Sequence, residues 1–392
     1  MKTTLIRKTA LALALSTAAT LPAHAEFTAQ EVFEAVTSAL VQSGLSVDAG
    51  SVELDGDDTV IITDLSVGDG LDAAKIPTAE LRDVTELQDG VFEIGEVFVP
   101  GQTILSPDKI EITYGNISVK ELKVATAESG YTELDNGFYT AASVDGVAIS
   151  EDGTQVISFD AVNVTVTPFE TNQPISSSVT VDRIEFDSDT LSDARARETM
   201  KALGYEQLRG DLVMNAVWNP KNGQLALTDM TLSAEDAADL TLMLDVRGYT
   251  AEIVQAMRDI QADMKPDNEQ ASGMAMLGML QQLEFHSMSL TLKDESLTGR
   301  VLDFVAAQQG MNRESVTAMA LGFLPLGLAQ LQSPEFAANA QQAISTYLND
   351  PDTLTVSAKP ADPVPFALLM GPALGGNPQA LLQMLNVTMS AN

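Results

Sequence analysis

Cysteine is absent from the 392-residue chain, and histidine and tryptophan are nearly absent. Without cysteine the protein has no disulfide, no thiolate nucleophile and no cysteine-based metal site. After residue 25 the only histidine is His286, which excludes an HExxH zinc site and requires any histidine-based triad to use this residue. Trp218 is the sole tryptophan, which argues against an aromatic cleft that stacks sugars.

The motifs of common catalytic sites are also missing. Neither GxSxG nor the phosphate-binding GxxxxGK[ST] occurs. Ser106 to Lys109 matches S-x-x-K, but Pro107 lies inside it and a strand, not a helix, is predicted to follow. His286 lies in an alternating segment without a serine or cysteine elbow, and we interpret it as a solvated strand residue. The chain is predicted not to be an enzyme. Catalysis by two carboxylates alone stays open, because any of 55 acidic residues could pair in space.

No metal or cofactor is predicted. Asp187, Asp189 and Glu198 match positions one, three and twelve of a calcium loop. Leu191 then stands where an oxygen ligand belongs, and Ser192 stands where the turn glycine belongs, so these acids are interpreted as solvated. The methionine run of residues 273–288 is of the kind that binds copper, but leucines interleave with it. Core packing or the lining of an apolar groove explains it better.

Basic residues are scarce: 21 lysines and arginines stand against 55 acidic residues, which gives a formal net charge of −34. Clusters that would neutralise phosphates are missing, so nucleic acid is excluded as a partner. The same charge should repel anionic membrane surfaces. Its ordinary meaning is solubility of an acidic protein.

The first 25 residues have the three parts of a secretory signal peptide. Lys2, Arg7 and Lys8 are followed by a short apolar run, and Ala23-His24-Ala25 forms a small-x-small cleavage site. Cleavage after Ala25 and export to the periplasm are therefore expected. The apolar run is too short to span a bilayer, and no lipid-bearing cysteine follows it, so no transmembrane anchor is expected.

Methionine divides the remaining chain. Residues 26–199 contain none, and the first half is rich in valine, isoleucine and threonine, whereas the second half is rich in alanine, leucine and methionine. We predict a β-rich domain with an N-terminal helix over 26–190 and a mixed β-meander and helical domain over 191–392, although one sheet could cross the boundary. Dipeptides such as Asp55-Gly56, Asp89-Gly90 and Asp152-Gly153 predict hairpins, and eight to ten antiparallel strands are expected between Ser51 and Phe186.

Helices are predicted where apolar residues recur every three or four positions. Thr28 and Glu31 form a capping box at the first of them. Further helices are predicted over 191–203, after Thr250, and over 297–309, 313–331 and 334–348. The fold class is therefore α+β: an extended, twisted antiparallel sheet with an N-terminal helix and with C-terminal helices packed on one face.

One phrase recurs along the strands: an apolar residue, two others, an apolar residue, one other, and an apolar residue. Leu227, Met230 and Leu232 in "NGQLALTDMTLS" are an example. Two intervening residues break strict alternation, which indicates a strand start or a β-bulge. The phrase is typical of β-strands and does not indicate a binding site.

Two long apolar segments, residues 316–331 and 364–385, carry the functional hypothesis. Proline and glycine interrupt both, which argues against transmembrane helices. Either they are buried against the sheet, or they line a cavity or contact a partner. A carrier would hold a lipid or another apolar ligand between the sheet and these segments, with six residues as lining: Met319, Phe323, Leu324, Phe366, Leu369 and Met370. The alternative is a structural or interaction protein of the cell envelope, without a small-molecule ligand, that binds an envelope partner through its acidic surface or a sheet edge.

The signal peptide, the helix "TAQEVFEAV" and the segment "GSVELDGDDTVIITDLSV" resemble an uncharacterised alphaproteobacterial periplasmic family, a domain of unknown function, over residues 1–100. This resemblance implies a periplasmic location and no catalytic residues. The run of short antiparallel strands also resembles, in style, the AsmA-type groove proteins that are implicated in moving lipids. That second resemblance implies lipid binding, while the shorter length and the missing membrane anchor depart from the proteins that bridge two membranes.

Overall fold

The structure is a computed structural model that describes residues 27–42, 45–68, 74–105, 110–131, 135–170, 173–191, 193–262 and 278–392. The predicted signal peptide, the Ser106 to Lys109 motif and residues 273–277 of the methionine run lie outside the described residues. The predicted fold class is confirmed, since a large antiparallel sheet has helices at its N-terminal and C-terminal ends.

The secondary structure follows the chain in long runs of strands. The strands are β1 (Val47–Asp48), β2 (Ser51–Asp55), β3 (Thr59–Val67), β4 (Ala74–Gln88), β5 (Val91–Val99), β6 (Gln102–Leu105), β7 (Ile110–Tyr114), β8 (Ile117–Ala125), β9 (Ala141–Glu151), β10 (Thr154–Val166), β11 (Ile175–Asp187), β12 (Gln207–Asn219), β13 (Gln224–Ala234), β14 (Ala238–Arg247), β15 (Glu284–Asp294), β16 (Thr353–Ala358), β17 (Val364–Pro365) and β18 (Val387–Ala391). The helices are α1 (Ala29–Gln42), α2 (Ala194–Leu203), α3 (Ala251–Ala262), α4 (Leu297–Gln309), α5 (Arg313–Ala329), α6 (Pro334–Asn349), α7 (Phe366–Leu374) and α8 (Pro378–Met384).

The strands form one sheet in which each described pairing is antiparallel. From β2 to β5 each strand pairs with the next; β5 then pairs with β8, and β8 with β9. From β9 to β16 the strands again follow one another, and β18 pairs with β16. The hairpin of β6 and β7 lies beside β8 along the second half of β9.

The sheet crosses the predicted domain boundary at residue 190 without a break. Strand β11 precedes the boundary and β12 follows it, and they pair from Ile175 with Trp218 to Asp187 with Gln207. Helix α2 lies between them in the chain. Asp193 caps its N-terminus, since the Asp193 side chain accepts hydrogen bonds from the N–H groups of Arg195 and Ala196. The division of the chain by composition is thus not a division of the sheet.

Turn chemistry explains the hairpins. Asp152 and Gly153 join β9 to β10 with φ angles of +50° and +79°. Positive φ at both central residues is the geometry whose twist matches that of the flanking strands, and glycine adopts it at little cost. The predicted hairpin at this dipeptide is confirmed.

The recurring apolar phrase is a β-bulge in β13. Leu227 pairs with Leu244, and Met230 pairs with Leu242. The two residues between Leu227 and Met230 on β13 are therefore opposite a single residue, Met243, on β14. The extra residue restores the alternation, and Leu227, Met230 and Leu232 therefore point to one face of the sheet. A similar bulge in β15 makes His286 the extra residue between Ser287 and Phe285.

The main core lies beneath α1, at the N-terminal end of the sheet. The predicted capping box is present: the carboxylate of Glu31 accepts from the N–H of Thr28 at 2.6 Å, and the Thr28 hydroxyl accepts from the N–H of Glu31 at 3.3 Å. Val32 and Ala35 are fully buried on the inner side of the helix. They pack with side chains from β3, β4, β5 and β8: Val60, Ile62, Ala79, Leu81, Val84, Phe92, Ile94, Val99 and Val124.

The C-terminal helices pack at the other end of the sheet. Helix α5 packs on α4 and α6, and α6 packs along β18, the last strand. The side-chain oxygen of Asn339 on α6 accepts a hydrogen bond of 2.7 Å from the backbone N–H of Met389 on β18. Helix α7 packs on β17 and on α8. The helices predicted over 297–309, 313–331 and 334–348 are confirmed to within a few residues.

Candidate ligand-binding face

A row of apolar side chains crosses the sheet from β2 to β18. Residues that pair directly in a sheet lie side by side and point to the same face. Successive pairings define what we call the long row: Leu54, Val60, Leu81, Val97, Val119, Ala142, Val164, Val179, Met214, Met230, Leu242, Leu290, Val356 and Met389. Each member is valine, leucine, methionine or alanine.

Two further rows run beside the long row on the same face. The first consists of Val99, Ile117, Val144, Val162, Val181, Leu212, Leu232, Leu240, Leu292, Leu354 and Ala391. The second consists of Ala216, Leu227, Leu244, Met288, Ala358 and Val387. From β12 to β18 the three rows contain no polar side chain and form a continuous apolar surface, while on β11 the row of Ala216 continues with Ser177.

The opposite face of the same strands is polar. Thr231, Thr241, Thr291, Thr355 and Ser390 form a row on β13 to β18. The hydroxyls of Thr231 and Thr241 lie 2.9 Å apart, and those of Thr291 and Thr355 lie 3.1 Å apart. These contacts are cross-strand hydrogen bonds, and the Thr231 hydroxyl also donates to the carboxylate of Asp229 at 2.7 Å. The two faces therefore differ in chemistry along the whole C-terminal part of the sheet.

Burial of the apolar rows changes along the sheet. Beneath α1, Val60 and Leu81 are 0% and 1% exposed. On β13 and β14, Leu232 and Leu240 are 46% and 42% exposed, and the long-row residues of β9 to β16 are half-buried. The threonines of the polar face have the same intermediate burial. Both faces of the sheet between β9 and β15 therefore have similar, intermediate burial, although α6 contacts β16. We call the apolar rows from β9 to β16 the open apolar face.

One end of the open apolar face is closed by aromatic residues. Trp218 donates a hydrogen bond of 2.6 Å from its indole nitrogen to the carbonyl of Tyr249, and the two rings meet edge to face at 6.0 Å. Four residues that pair across the strands at this level, Ile175, Val246, Phe285 and Val364, are 7% to 9% exposed, whereas Leu225, between Trp218 and Val246, is 37% exposed. The chain leading into α3 and the start of α7 thus close the face at this edge.

The six predicted lining residues lie on two helices with different neighbours. Met319, Phe323 and Leu324 are on α5, which packs on α4 and α6; Phe366, Leu369 and Met370 are on α7, beside β17. Phe323 is 63% exposed and Met319 is 36% exposed, whereas Leu324 and the three α7 residues are half-buried. The prediction that these six residues bind a ligand together stays a prediction.

A groove of about 480 Å³ lies between α5 and α6. It is mainly apolar, and it is lined by Pro325, Leu328 and Ala329 from α5 and by Pro334, Ala337 and Ala338 from α6. This groove contains none of the six predicted lining residues. A second opening of about 370 Å³ separates α6 from α8 and β18.

His286 departs from the sequence-based interpretation. Its side chain is 18% exposed, and its Nε2 is buried without a hydrogen-bond partner among the described residues. The carboxylate of Glu284 lies 3.8 Å from that nitrogen. The prediction of a solvated histidine was wrong, because the bulge turns this residue out of the regular alternation.

Asp187, the first of the residues considered for calcium, has a local structural role. Asp187 accepts a hydrogen bond of 2.9 Å from the N–H of Asp189 and caps a short 3-10 turn. Within the described residues, no three acidic or histidine side chains come together as a metal site would require.

The strongest charge cluster lies away from the open apolar face, where β4, β5 and β8 are neighbours. Glu96 accepts hydrogen bonds from Lys120 at 2.6 Å, from Ser118 at 2.8 Å and from Arg82 at 2.9 Å. These contacts, led by that with Lys120, lower the pKa of Glu96 from 4.5 to about 2. Arg82 also contacts Glu80 and lies 4.1 Å from the ring centre of Phe98. The cluster is a fully paired network and has no free base for catalysis.

Comparison with known proteins gives a match to a family without an assigned role over part of the chain. A family model described only as an uncharacterised protein matches residues 231–392, which include β14 to β18 and the C-terminal helices. This match lies outside the first hundred residues, where the resemblance to an uncharacterised family was expected, and that expectation stays a prediction. No curated protein matches the chain.

Proposed function

We propose that the protein is a non-enzymatic, exported protein of the periplasm that binds the acyl chain of a lipid, or a ligand of similar apolar chemistry, on the open apolar face. The observation that supports this proposal is the half-exposed state of three parallel apolar rows. Large contiguous apolar surfaces are rare on proteins that have no apolar partner. The polar opposite face shows that the pattern is specific to one side of the sheet.

The dimensions of the face suit an acyl chain. Neighbouring strands are about 4.8 Å apart, so β9 to β16 give a track of roughly 30 Å. One acyl chain spans half of a bilayer core, or roughly 15 Å. A hydrocarbon chain makes no hydrogen bonds and needs none from its site, and methionines such as Met214 and Met230 adapt their shape to such ligands.

A second copy of the protein fits the face less well. Each copy carries a formal net charge of −34, and two copies would repel each other on approach. An acyl chain brings no such charge. The ligand is thus expected to lie against the sheet itself, with the segments 316–331 and 364–385 near the end of the track.

Extraction of protein purified without detergent from its native compartment tests the proposal. Organic extraction and mass spectrometry should recover a lipid in a stoichiometric amount. An extract without lipid would favour the alternative, a structural or interaction protein that uses its acidic surface or a sheet edge.

Substitutions on the two faces of β14 test the location. Leu240 on the apolar face and Met243 on the polar face are 42% and 47% exposed, so Leu240→Gln and Met243→Gln change side chains of similar accessibility. The double variant Leu232→Gln/Leu240→Gln should weaken binding of a fluorescent fatty acid by about 10-fold, because two apolar contacts of over 1 kcal/mol in total are lost. Met243→Gln should bind as the unmodified protein does. Equal effects on both faces would refute the assignment to the apolar rows.

A further inference from the structure

The C-terminal part of the chain is nearly free of charge. Residues 315–392 have five charged side chains in a protein of net charge −34: Glu335, Asp350, Asp352, Lys359 and Asp362. Residues 315–334 and 363–392 have none, and these ranges include most of α5 and all of α7 and α8. The acidic field of the protein surface is therefore interrupted at these helices.

Helix α5 is apolar on two opposite sides. Leu321, Leu324 and Leu328 lie on the side that packs toward α4 and α6, and Leu328 is 8% exposed. Met319, Phe323 and Leu326 recur at four- and three-residue spacing, which places them about 140° to 200° around the axis from Leu321, on the opposite side of the helix. These three residues are 36%, 63% and 68% exposed, and we call them the outer stripe.

Helix α7 adds two more exposed leucines near the same end of α6. Leu368 and Leu374 are 59% and 84% exposed. The C-terminal half of α5 and helix α8 flank the first half of α6 on two sides, and Ser333 lines both of the grooves that separate them from α6. Helix α7 packs directly on α8. The uncharged helices therefore share one end of the molecule.

We infer that this end of the protein docks on the surface of a lipid bilayer and inserts the outer stripe of α5 into the interfacial region. Exposed apolar side chains gain free energy when they leave water for the interfacial region of a bilayer. A crossing is excluded for α5, since it has 17 residues and contains Pro325, whereas a span needs about 20 apolar residues. In the described part of the chain no helix is long and apolar enough to cross a membrane.

The shape and charge of the surface favour a bilayer over a protein partner. The outer stripe protrudes from a convex helix, whereas the strongest contacts of protein interfaces fill pockets. A fluid bilayer needs no matching shape and offers no hydrogen bonds for these side chains to satisfy. A second copy of the chain would bring its own acidic surface close. This inference does not depend on the proposed ligand of the sheet.

Vesicle flotation with the full-length mature chain tests the inference. We expect binding to phosphatidylcholine vesicles, and weaker binding to phosphatidylglycerol vesicles that improves with added salt, because the acidic protein is repelled by an anionic surface. Phe323→Gln/Leu326→Gln should reduce the bound fraction by about 10-fold or more, since two exposed apolar side chains are removed. Both residues are outside the core, and glutamine is a good helix former, so the fold is retained.

The sheet variant Leu232→Gln/Leu240→Gln is the matched control. It should lose the fluorescent fatty acid and keep vesicle binding, whereas the α5 variant should do the reverse. This crossed result separates a failure of the docking surface from a failure of the proposed ligand site. Equal vesicle binding by the α5 variant and the unmodified protein would overturn the inference.

Tryptophan fluorescence tests the depth of insertion. Trp218 is the only tryptophan, so Trp218→Phe provides a background in which a new tryptophan is the sole emitter. In that background, Phe323→Trp should shift its emission to shorter wavelength and be quenched by vesicles with brominated acyl chains. Asp57→Trp, at an exposed turn between β2 and β3, should show neither effect. A protein partner would be indicated instead by self-association without lipid that Phe323→Gln/Leu326→Gln abolishes, and this result would also overturn the inference.

Discussion

The long row passes through two regions of one sheet that differ in what covers them. Under α1, Val60 and Leu81 are almost completely buried, and α1 supplies Val32 and Ala35 to the same core. From β9 to β16 the row continues with the same residue types, but its side chains are half-buried. The residue pattern is therefore not what makes a core. A core forms where a second layer is present, and the same pattern without that layer is a surface available to an apolar ligand.

Truncation of a large apolar side chain should give the largest difference in stability between the two regions. Phe92→Ala should destabilise the protein by about 3–5 kcal/mol, because a fully buried aromatic side chain leaves a cavity. Leu240→Ala, on the open apolar face, should cost less than about 1 kcal/mol, because no packed layer is disrupted. Denaturant unfolding monitored by circular dichroism measures both. Similar losses at the two positions would mean that a second layer covers both regions.

The charge network on β4, β5 and β8 should contribute a smaller, pH-dependent amount in the covered region. The pKa of Glu96 in the folded protein, about 2, is below its ordinary value of 4.5, so its stabilising contribution is complete above pH 4.5 and is lost as the pH falls toward 2. Glu96→Gln should cost about 1–2 kcal/mol at neutral pH, since three charge-assisted or polar hydrogen bonds are weakened.

Unfolding experiments at a series of pH values check this sign. The difference between the unmodified protein and Glu96→Gln should shrink as the pH is lowered toward 2. Glu53→Gln, at an exposed position on β2, is the control and should show a much smaller difference at neutral pH. A difference that grows on acidification would contradict the assigned network.

The smallest expected effect concerns the stability of helix α1, which covers the N-terminal part of the sheet. Thr28→Ala removes one half of the capping box of α1 and should destabilise the covered region by about 1 kcal/mol. Thr28→Ser keeps the hydroxyl and should lose little. Hydrogen exchange of the β3 and β4 amides would report the change locally. Faster exchange on β13 and β14 alone would instead show that α1 is not the element that stabilises the covered region.

Local signals in the sequence predicted much of the fold. Turn dipeptides such as Asp152-Gly153, the capping box of Thr28 and the bulge pattern at Leu227 depend on neighbours in the chain, and the structure confirms all three. These features set the fold class. They do not determine which elements meet across long distances in sequence.

The candidate site was harder to predict for that reason. Val60 and Met230 occupy equivalent positions in similar strand patterns, and their different burial depends on where α1 reaches. The sequence-based hypothesis placed the ligand lining on apolar helices, while the longest apolar surface belongs to the strands. Pairing the predicted hairpins in order would have revealed the rows, since each hairpin aligns one apolar residue with the next. The apolar phrase of Phe285, Met288 and Leu290 signals the bulge in β15, but it does not show that the bulge half-buries His286.

The contact between Asn339 and Met389 has a consequence for how the protein resists fibre growth. A sheet that ends in an exposed strand offers its free N–H and C=O groups as a template for further strands, which is the first step of cross-β assembly. On β18 the N–H of Met389 is occupied by an amide oxygen from α6, and that helix lies along the strand. At the opposite end, β2 exposes the carboxylates of Glu53 and Asp55, which repel an incoming strand of the same acidic chain. A sheet that is open on its face is thereby hindered from adding further strands at β2 and at β18.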